Sequence, residues 1–164
     1  MEELEYYIKE SERLFSENNI EEAKGLLYRV LEIEPGYAMA HNHIGWALLY
    51  YGEDLQLAEK HLRLSLKFDP GINSAYYHLT ELLIRTRRLD EALSLLEKAQ
   101  AIPEVNGVFV YTETGRVYEL KRKFCDAIVW YKNAVMRSTD NYEVDNLKAS
   151  IKRCRYKRLL AIGL

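Results

Sequence analysis

The stretch Tyr37–Pro70, YAMAHNHIGWALLYYGEDLQLAEKHLRLSLKFDP, contains the pattern on which the fold of this 164-residue chain is built. In each of its halves, small and apolar residues recur at helical spacing, which places each set on one face of a helix. The two sets are Ile44, Gly45 and Leu48 in the first half, and Ala58, Leu62 and Leu66 in the second. The stretch therefore predicts two amphipathic helices joined by a tight turn.

The first of these helices carries a second stripe of larger side chains on a different face. Its members are Met39, His43, Trp46 and Tyr50. The hairpin does not need these side chains for its own contacts. They are therefore the first candidates for a binding surface.

The composition is that of a folded protein, with 48% hydrophobic and 29% charged residues. The acidic N-terminus lacks the apolar segment of a signal peptide, and no apolar run approaches the roughly 18 residues of a membrane span. Cys125 and Cys154 form no disulfide or zinc pattern and are expected to be free thiols. These features predict a cytoplasmic protein.

Charge is unevenly distributed although the net charge is only −2. Residues 1–34 contain ten glutamates and four basic residues, whereas residues 121–164 contain eleven basic and four acidic residues. The small net charge argues against binding of a polyanion by the molecule as a whole. The asymmetry between the two ends is relevant to assembly.

The hairpin pattern repeats along the chain with a period of 34 or 35 residues. Alanines recur in phase on the second helix of each pair, and small residues recur in phase on the first helix. The alanines are Ala23, Ala58, Ala92 and Ala127, and the other set is Ser11, Gly45, Thr80 and Gly115. Such a period predicts stacked helical hairpins whose helix axes approach closely at the small residues.

This pattern resembles the tetratricopeptide repeat (TPR) family, whose motif is W-x2-L-G-x2-Y, then Ala, an aromatic residue or Leu, and Pro. The resemblance implies an all-α, right-handed α-solenoid of stacked TPR helical hairpins, with residues 1–164 forming a single domain. The repeats would span residues 4–36, 37–71, 72–105 and 107–139, and a capping helix would span 141–161. A half-a-TPR-like or Sel1-like array is the alternative.

The match has mild departures from the family motif. The first repeat has Glu10 where an apolar residue is usual, as expected for an end repeat that faces water. The second repeat has one extra residue near Glu53, and the fourth lacks its proline. Asp140 or Asn141 can cap the last helix.

The resemblance also implies where a ligand would bind, because the first helix of each pair lines the concave side of the array in this family. The ridge positions predict a groove for an apolar or aromatic peptide segment. They are Met39, His43, Trp46, Tyr50, Tyr77, His78, Glu81, Ile84, Arg85, Phe109 and Arg116. The alternative is that some of these side chains pack between neighbouring helices.

One known subtype of the family does not fit this chain. TPR domains that grip a C-terminal carboxylate use Lys, Asn and Arg at ridge positions. The corresponding residues here are Ile8, Glu12, His43, Ser74 and His78. Glu12 would repel a carboxylate, so a cochaperone of that type is not predicted.

We expect no cofactor, no metal and no catalysis. His43 and His78 occupy the same phase in adjacent repeats and are predicted to be neighbours, but no third metal ligand accompanies them. No carboxylate pair, Ser/His arrangement or phosphate-binding loop is evident.

The last helix is basic and offers electrostatic contacts through Lys152, Arg153, Arg155, Lys157 and Arg158. These residues could meet nucleic acid, an anionic membrane surface or the acidic first repeat of another copy. A solvated cap is the favoured interpretation, which leaves nucleic acid and membranes as weaker hypotheses.

The sequence thus predicts a non-enzymatic protein-binding module, an adaptor or chaperone that holds a protein or peptide partner. The alternative is a structural assembly subunit that self-associates through its acidic and basic ends.

Overall fold

The fold consists of α-helices joined by short turns. The computed structural model describes residues 2–52, 54–161 and 163, and these residues form nine α-helices and no strand. The helices are α1 (Glu2–Ser16), α2 (Ile20–Ile33), α3 (Ala38–Tyr50), α4 (Leu55–Phe68), α5 (Asn73–Arg85), α6 (Leu89–Gln100), α7 (Gly107–Leu120), α8 (Phe124–Arg137) and α9 (Asn141–Ala161). The predicted all-α class is confirmed.

The chain divides into two compact units, Met1–Leu82 and Leu83–Leu164, which we call the N-terminal and C-terminal units. In the N-terminal unit, α2 packs against α1 and α3, and α3 packs against α4. In the C-terminal unit, α7 packs against α6 and α8, and α8 packs against α9. In the pairs named, helices adjacent in sequence are thus neighbours in space. The assignment of residues 1–164 to a single domain stays a prediction.

Small residues set the distance between paired helices, as the repeat pattern predicts. A Cβ atom built on Gly45 would lie 2.6 Å from Leu62 Cγ and 3.2 Å from the carbonyl oxygen of Ala58. One built on Gly115 would lie 2.8 Å from Cδ1 of Tyr131. Because real Cβ atoms do not approach other atoms so closely, only glycine fits at both positions without displacement of a neighbour.

Prolines follow the ends of the second helices in the first two repeats. α2 ends at Ile33, two residues before Pro35, and α4 ends at Phe68, two residues before Pro70. The residue before a proline is disfavoured in the helical region, and proline itself has no N–H to donate. These prolines therefore account for the observed stops.

The turns inside three hairpins share one backbone conformation. Asn18, Arg87 and Arg122 have φ angles of 62°, 61° and 60°. The residue after each donates its backbone N–H to a carbonyl five positions earlier, which satisfies a terminal carbonyl of the preceding helix. The pairs are Asn19 to Leu14, Arg88 to Leu83 and Lys123 to Tyr118. Glycine usually holds this position and asparagine sometimes does, so Arg87 and Arg122 give no sign of the shared turn in the sequence.

The last helix closes the hydrophobic core of the C-terminal unit. Asp140 Oδ1 accepts a hydrogen bond from the backbone N–H of Glu143 at 3.0 Å and so caps α9. Leu147, Ile151 and Cys154 are buried in a cluster with side chains of α8. These three side chains form an apolar edge along α9.

Candidate functional site: an aromatic cleft in the N-terminal unit

A cleft of about 300 Å³ opens in the N-terminal unit between side chains of α1, α3 and α5. We call it the aromatic cleft and define it by the residues that line it. They are Glu12, Phe15, Asn42, His43, Trp46, Ser74 and His78. Within each helix the lining residues are three or four positions apart, which places them on the same side of the helix. The exception is Asn42, which directly precedes His43.

Aromatic rings form one wall of the cleft. The Phe15 and Trp46 rings meet edge to face, with centroids 4.8 Å apart and an interplanar angle of 85°. His43 also lies edge-on to Phe15, at 6.4 Å. Trp46 is half-buried and therefore serves partly in contacts between α1 and α3. Both interpretations of this ring made from the sequence, ligand contact and interhelical contact, are compatible with its position.

Large side chains beside the cleft remain open to solvent. Met39, Tyr50 and Tyr77 keep 37%, 44% and 43% of their surfaces exposed. The rings of Tyr50 and Tyr77 lie edge-on to His78, with centroids 5.9 Å and 5.4 Å away. Clustered exposed aromatic and apolar side chains are typical of interaction sites.

Buried polar atoms among the lining residues lack hydrogen-bond partners. Asn42 is only 2% exposed, and its amide nitrogen donates to Ser74 Oγ at 3.0 Å. Its Oδ1 has no partner, and neither do Nδ1 of His43 and Nδ1 of His78. Unsatisfied buried polar atoms are uncommon in folded proteins and call for an explanation.

Burial keeps the two imidazoles of the cleft neutral at pH 7. Burial lowers the pKa of His43, although the carboxylate of Glu12, 3.9 Å from its Nε2, acts in the opposite direction. Burial, together with the nearby His43, lowers the pKa of His78 to about 4. The cleft therefore presents neutral rings beside one carboxylate.

The predicted groove residues fall in both units. Seven of them lie in the N-terminal unit. Three are exposed (Met39, Tyr50 and Tyr77), and four are half-buried (His43, Trp46, His78 and Glu81). Ile84, Arg85, Phe109 and Arg116 lie in the C-terminal unit. Arg116 donates to the buried carboxylate of Glu113, at 3.0 Å, on its own helix. Ligand contact by any of these residues stays a prediction.

The basic residues of α9 do not form one free surface. Arg153 donates to both carboxylate oxygens of Glu119, at 2.7 and 2.8 Å, and Lys157 donates to Oε1 at 2.8 Å. Tyr131 donates to the same carboxylate at 3.0 Å. Two of the five predicted electrostatic contacts are thus engaged inside the C-terminal unit.

The remaining three basic residues are exposed. Lys152 and Arg155 lie on the surface of α9, and Nη1 of Arg158 is 3.7 Å from Sγ of Cys125. The charge available for contact with another molecule is therefore smaller than the sequence indicates.

Sequence reasoning did not identify Glu119 as a buried acid. Its side chain is 8% exposed. Burial by itself raises the pKa of Glu119, but hydrogen bonds from Arg153, Lys157 and Tyr131 outweigh that effect and lower the pKa to about 2. The residues next to Glu119 in the sequence are typical of an exposed helix face. The hydrogen-bond network around Glu119 is therefore evident only in the folded structure.

A second pair of histidines, His41 on α3 and His61 on α4, is buried within the hairpin that these helices form. His41 Nε2 lies 3.0 Å from the carbonyl oxygen of Pro35, which can only accept, so this nitrogen carries the proton. His41 Nδ1 therefore accepts from Nδ1 of His61 at 2.9 Å. This pair is separate from the one in the cleft.

The C-terminal unit has a cleft of its own, of about 420 Å³, on α6, α7 and α8. Trp130 lines it and stacks on Tyr111 and Tyr118, with centroid distances of 5.5 and 6.5 Å. Asp90 and Glu97 add acidic groups. None of these residues belongs to the predicted groove. That prediction used only first helices, whereas Trp130 lies on the second helix of its hairpin.

Two kinds of feature are absent from the part of the chain that the structure describes. No helix there is long and apolar enough to cross a membrane. Likewise, no group of three His, Cys, Asp or Glu side chains among these residues is arranged to hold a metal ion.

Solved structures show what this arrangement of helices is similar to. PilF of Pseudomonas aeruginosa superimposes with a TM-score of 0.75 at 23% identity, covering 99% of this chain and 77% of PilF. MamA of Desulfovibrio magneticus RS-1 gives 0.70 at 20% identity, covering 100% and 96%. Yeast Tom70 gives 0.79 at 16% identity, covering 94% of this chain and 33% of Tom70. A scan against protein-family models and a search of curated proteins gave no match.

These neighbours are built of tetratricopeptide repeats. The chain therefore has the α-solenoid fold of tetratricopeptide-repeat proteins, and the resemblance identified from the 34-residue period is confirmed at the level of the fold.

Proposed function

We propose that this chain is a non-enzymatic protein–protein interaction module, an adaptor or chaperone. Its aromatic cleft and the neighbouring Met39, Tyr50 and Tyr77 bind an apolar or aromatic segment of a partner protein. The observation that carries the proposal is this cluster of exposed large side chains around a preformed cleft.

Physical chemistry favours binding over a purely structural role for the exposed members of the cluster. Burying one large apolar side chain contributes about 1.5–3 kcal/mol, and Met39, Tyr50 and Tyr77 still expose more than a third of their surfaces. Aromatic side chains next to a pocket are the usual anchors of protein interfaces. A partner segment laid across them would bury the remaining area.

The test is capture of a partner by the wild type and by a cleft variant. The variant Tyr50→Ala/Tyr77→Ala removes two half-exposed rings and leaves the Phe15–Trp46 contact in place. The control is Tyr142→Ala/Tyr156→Ala, since these tyrosines of α9 are 79% and 63% exposed and lie outside the cleft. Circular dichroism melting would establish that both double variants are folded.

The bait is the purified chain, incubated with an extract of the cells that produce it. A captured protein is identified by mass spectrometry, purified and titrated by calorimetry. We expect the cleft variant to weaken binding at least about tenfold, because interface aromatics are commonly worth 2 kcal/mol or more. Unchanged affinity in the cleft variant, or an equal loss in the control, would contradict the proposal.

A further inference from the structure

The carboxylate of the aromatic cleft has an unbalanced negative charge. The side chain of Glu12 is 58% exposed, and its Oε1 lies 3.9 Å from Nε2 of His43. That ring is neutral at pH 7, because burial lowers its pKa. Elsewhere on α1, Arg13 pairs with both Glu10 and Glu17. Among the described residues no lysine or arginine is paired with Glu12 in this way.

The same cleft contains hydrogen-bond acceptors that lack donors. Oδ1 of Asn42 has no partner, although the residue is almost fully buried. The carboxylate of Glu12 near Nε2 of His43 favours a proton on that nitrogen, which leaves Nδ1 as a second acceptor without a partner. Both atoms have almost no solvent-accessible surface, so a ligand donor would reach them only after the side chains that cover them move.

The aromatic wall suits a cation as well. The faces of Trp and Phe carry negative electrostatic potential, and a cation near them is stabilised, most strongly at Trp. Trp46 and Phe15 both line the cleft, next to Glu12. The wider surroundings are acidic too, since residues 1–34 contain ten glutamates and four basic residues.

We infer that the aromatic cleft receives an arginine side chain of the partner segment. Its methylene stem lies on Trp46 and Phe15, and its guanidinium is directed to the carboxylate of Glu12. The inference rests on the proposed function and adds the chemical identity of one anchor. Arginine is favoured over lysine because its guanidinium is planar, offers five donors, stacks on aromatic rings and is more weakly hydrated.

The inference can be tested with defined peptide pools. The probes are acetylated and amidated nonapeptides whose central residue is arginine, lysine or citrulline, with Leu, Ile, Phe, Ser or Gly at the flanking positions. Citrulline matches arginine in shape but has no charge. Binding is followed by NMR on the Trp46 indole N–H and the Asn42 side-chain amide, and affinities are compared between pools.

The variant Glu12→Gln removes the proposed counter-charge, and Glu22→Gln, on the exposed face of α2, changes the net charge equally and is the matched control. We expect the wild type and Glu22→Gln to bind the arginine pool at least about tenfold more tightly than the citrulline pool. In Glu12→Gln this ratio should fall to about threefold, because the cation–π contribution of Trp46 and Phe15 remains. Added salt should also reduce the ratio in the wild type.

Each other outcome has a definite meaning. Equal affinity of the wild type for the arginine and citrulline pools would overturn the inference, while peptide binding itself would still support the proposed function. Equal binding of the lysine and arginine pools would overturn the assignment to arginine. If no pool binds, the inference falls, and the capture experiment with the Tyr50/Tyr77 variant decides the proposed function separately.

Discussion

Three glycines within helices show how one residue type performs different tasks. Gly45 and Gly115 lie where two helices meet, and an added Cβ would collide with Leu62 and Tyr131 respectively. Gly25 lies on the exposed face of α2, where a Cβ would meet nothing within 4 Å. The same substitution should therefore have opposite effects on the free energy of unfolding at these sites.

Replacement of Gly45 or Gly115 by alanine is expected to destabilise the protein. Overfilling a packed contact costs typically 1–3 kcal/mol, while the higher helix propensity of alanine contributes up to about 1 kcal/mol in the other direction. The net loss should be on the order of 1–2 kcal/mol. Gly25→Ala is the control and should gain up to about 1 kcal/mol. Urea unfolding measures all three, and a stabilised Gly115→Ala would show that the Tyr131 ring moves aside freely.

The last helix is joined to its neighbours by an ion-pair network around Glu119. Glu119 on α7 accepts hydrogen bonds from Tyr131 on α8 and from Arg153 and Lys157 on α9. The network therefore links three helices of the C-terminal unit through one buried carboxylate. Its two cations are about half exposed, so solvent screens part of their interaction.

Glu119→Gln is expected to reduce the free energy of unfolding by about 2 kcal/mol at pH 7. The folded-state pKa of Glu119, about 2, is below the ordinary 4.5. The carboxylate therefore stabilises the folded state above pH 4.5, and this contribution is lost as the pH falls toward 2.

The difference in stability between wild type and Glu119→Gln should consequently shrink across that pH range. Asp145→Asn serves as control, because the Asp145–Lys148 pair is exposed and should contribute less than about 0.5 kcal/mol. Urea titrations at several pH values would measure both. A difference between wild type and Glu119→Gln that stays constant from pH 6 to pH 2 would contradict this assignment.

Acid sensitivity differs between the two units of the molecule. All four histidines are in the N-terminal unit, and burial is the main cause that lowers the pKa of each. For His61 and His78 the pKa falls to about 4. A group with a lowered folded-state pKa binds fewer protons in the folded than in the unfolded state, so the folded state loses stability as the pH falls from 6.5 toward 4.

The N-terminal unit is therefore expected to lose structure at a higher pH than the C-terminal unit, where the Glu119 effect begins only below pH 4.5. Each unit contains one tryptophan, so Trp130→Phe leaves Trp46 to report on the first and Trp46→Phe leaves Trp130 to report on the second. Fluorescence during acid titration should show the Trp46 transition at the higher pH. Coincident transitions, or an earlier change at Trp130, would contradict this expectation.

Much of the fold could be predicted because its determinants are local and repeated. The small residues at Gly45 and Gly115, the in-phase alanines, and Pro35 and Pro70 act within one hairpin, where sequence spacing fixes which side chains meet. The positive φ angles of Arg87 and Arg122 could not be predicted in this way, because the glycine that usually marks such a turn is absent.

The candidate site was predicted in part. His43 and Trp46 on α3 and His78 on α5 share a phase in the repeat, and the structure places all three around one cleft. The contact between Phe15 and Trp46 depends on how α1 and α3 pack, which the periodicity does not specify.

The helical hairpins, their period and the row of aromatic residues on α3 can be derived from the sequence, because they follow from spacing along single helices. Which charges are free and which are engaged depends on how the helices pack. The charge of Glu119 is paired with Arg153 and Lys157, which are 34 and 38 residues away in sequence. Glu12, in contrast, lies beside a neutral imidazole. The reason is physical: burial and partner distance set the energy of a charge, and both arise only when separate helices come together.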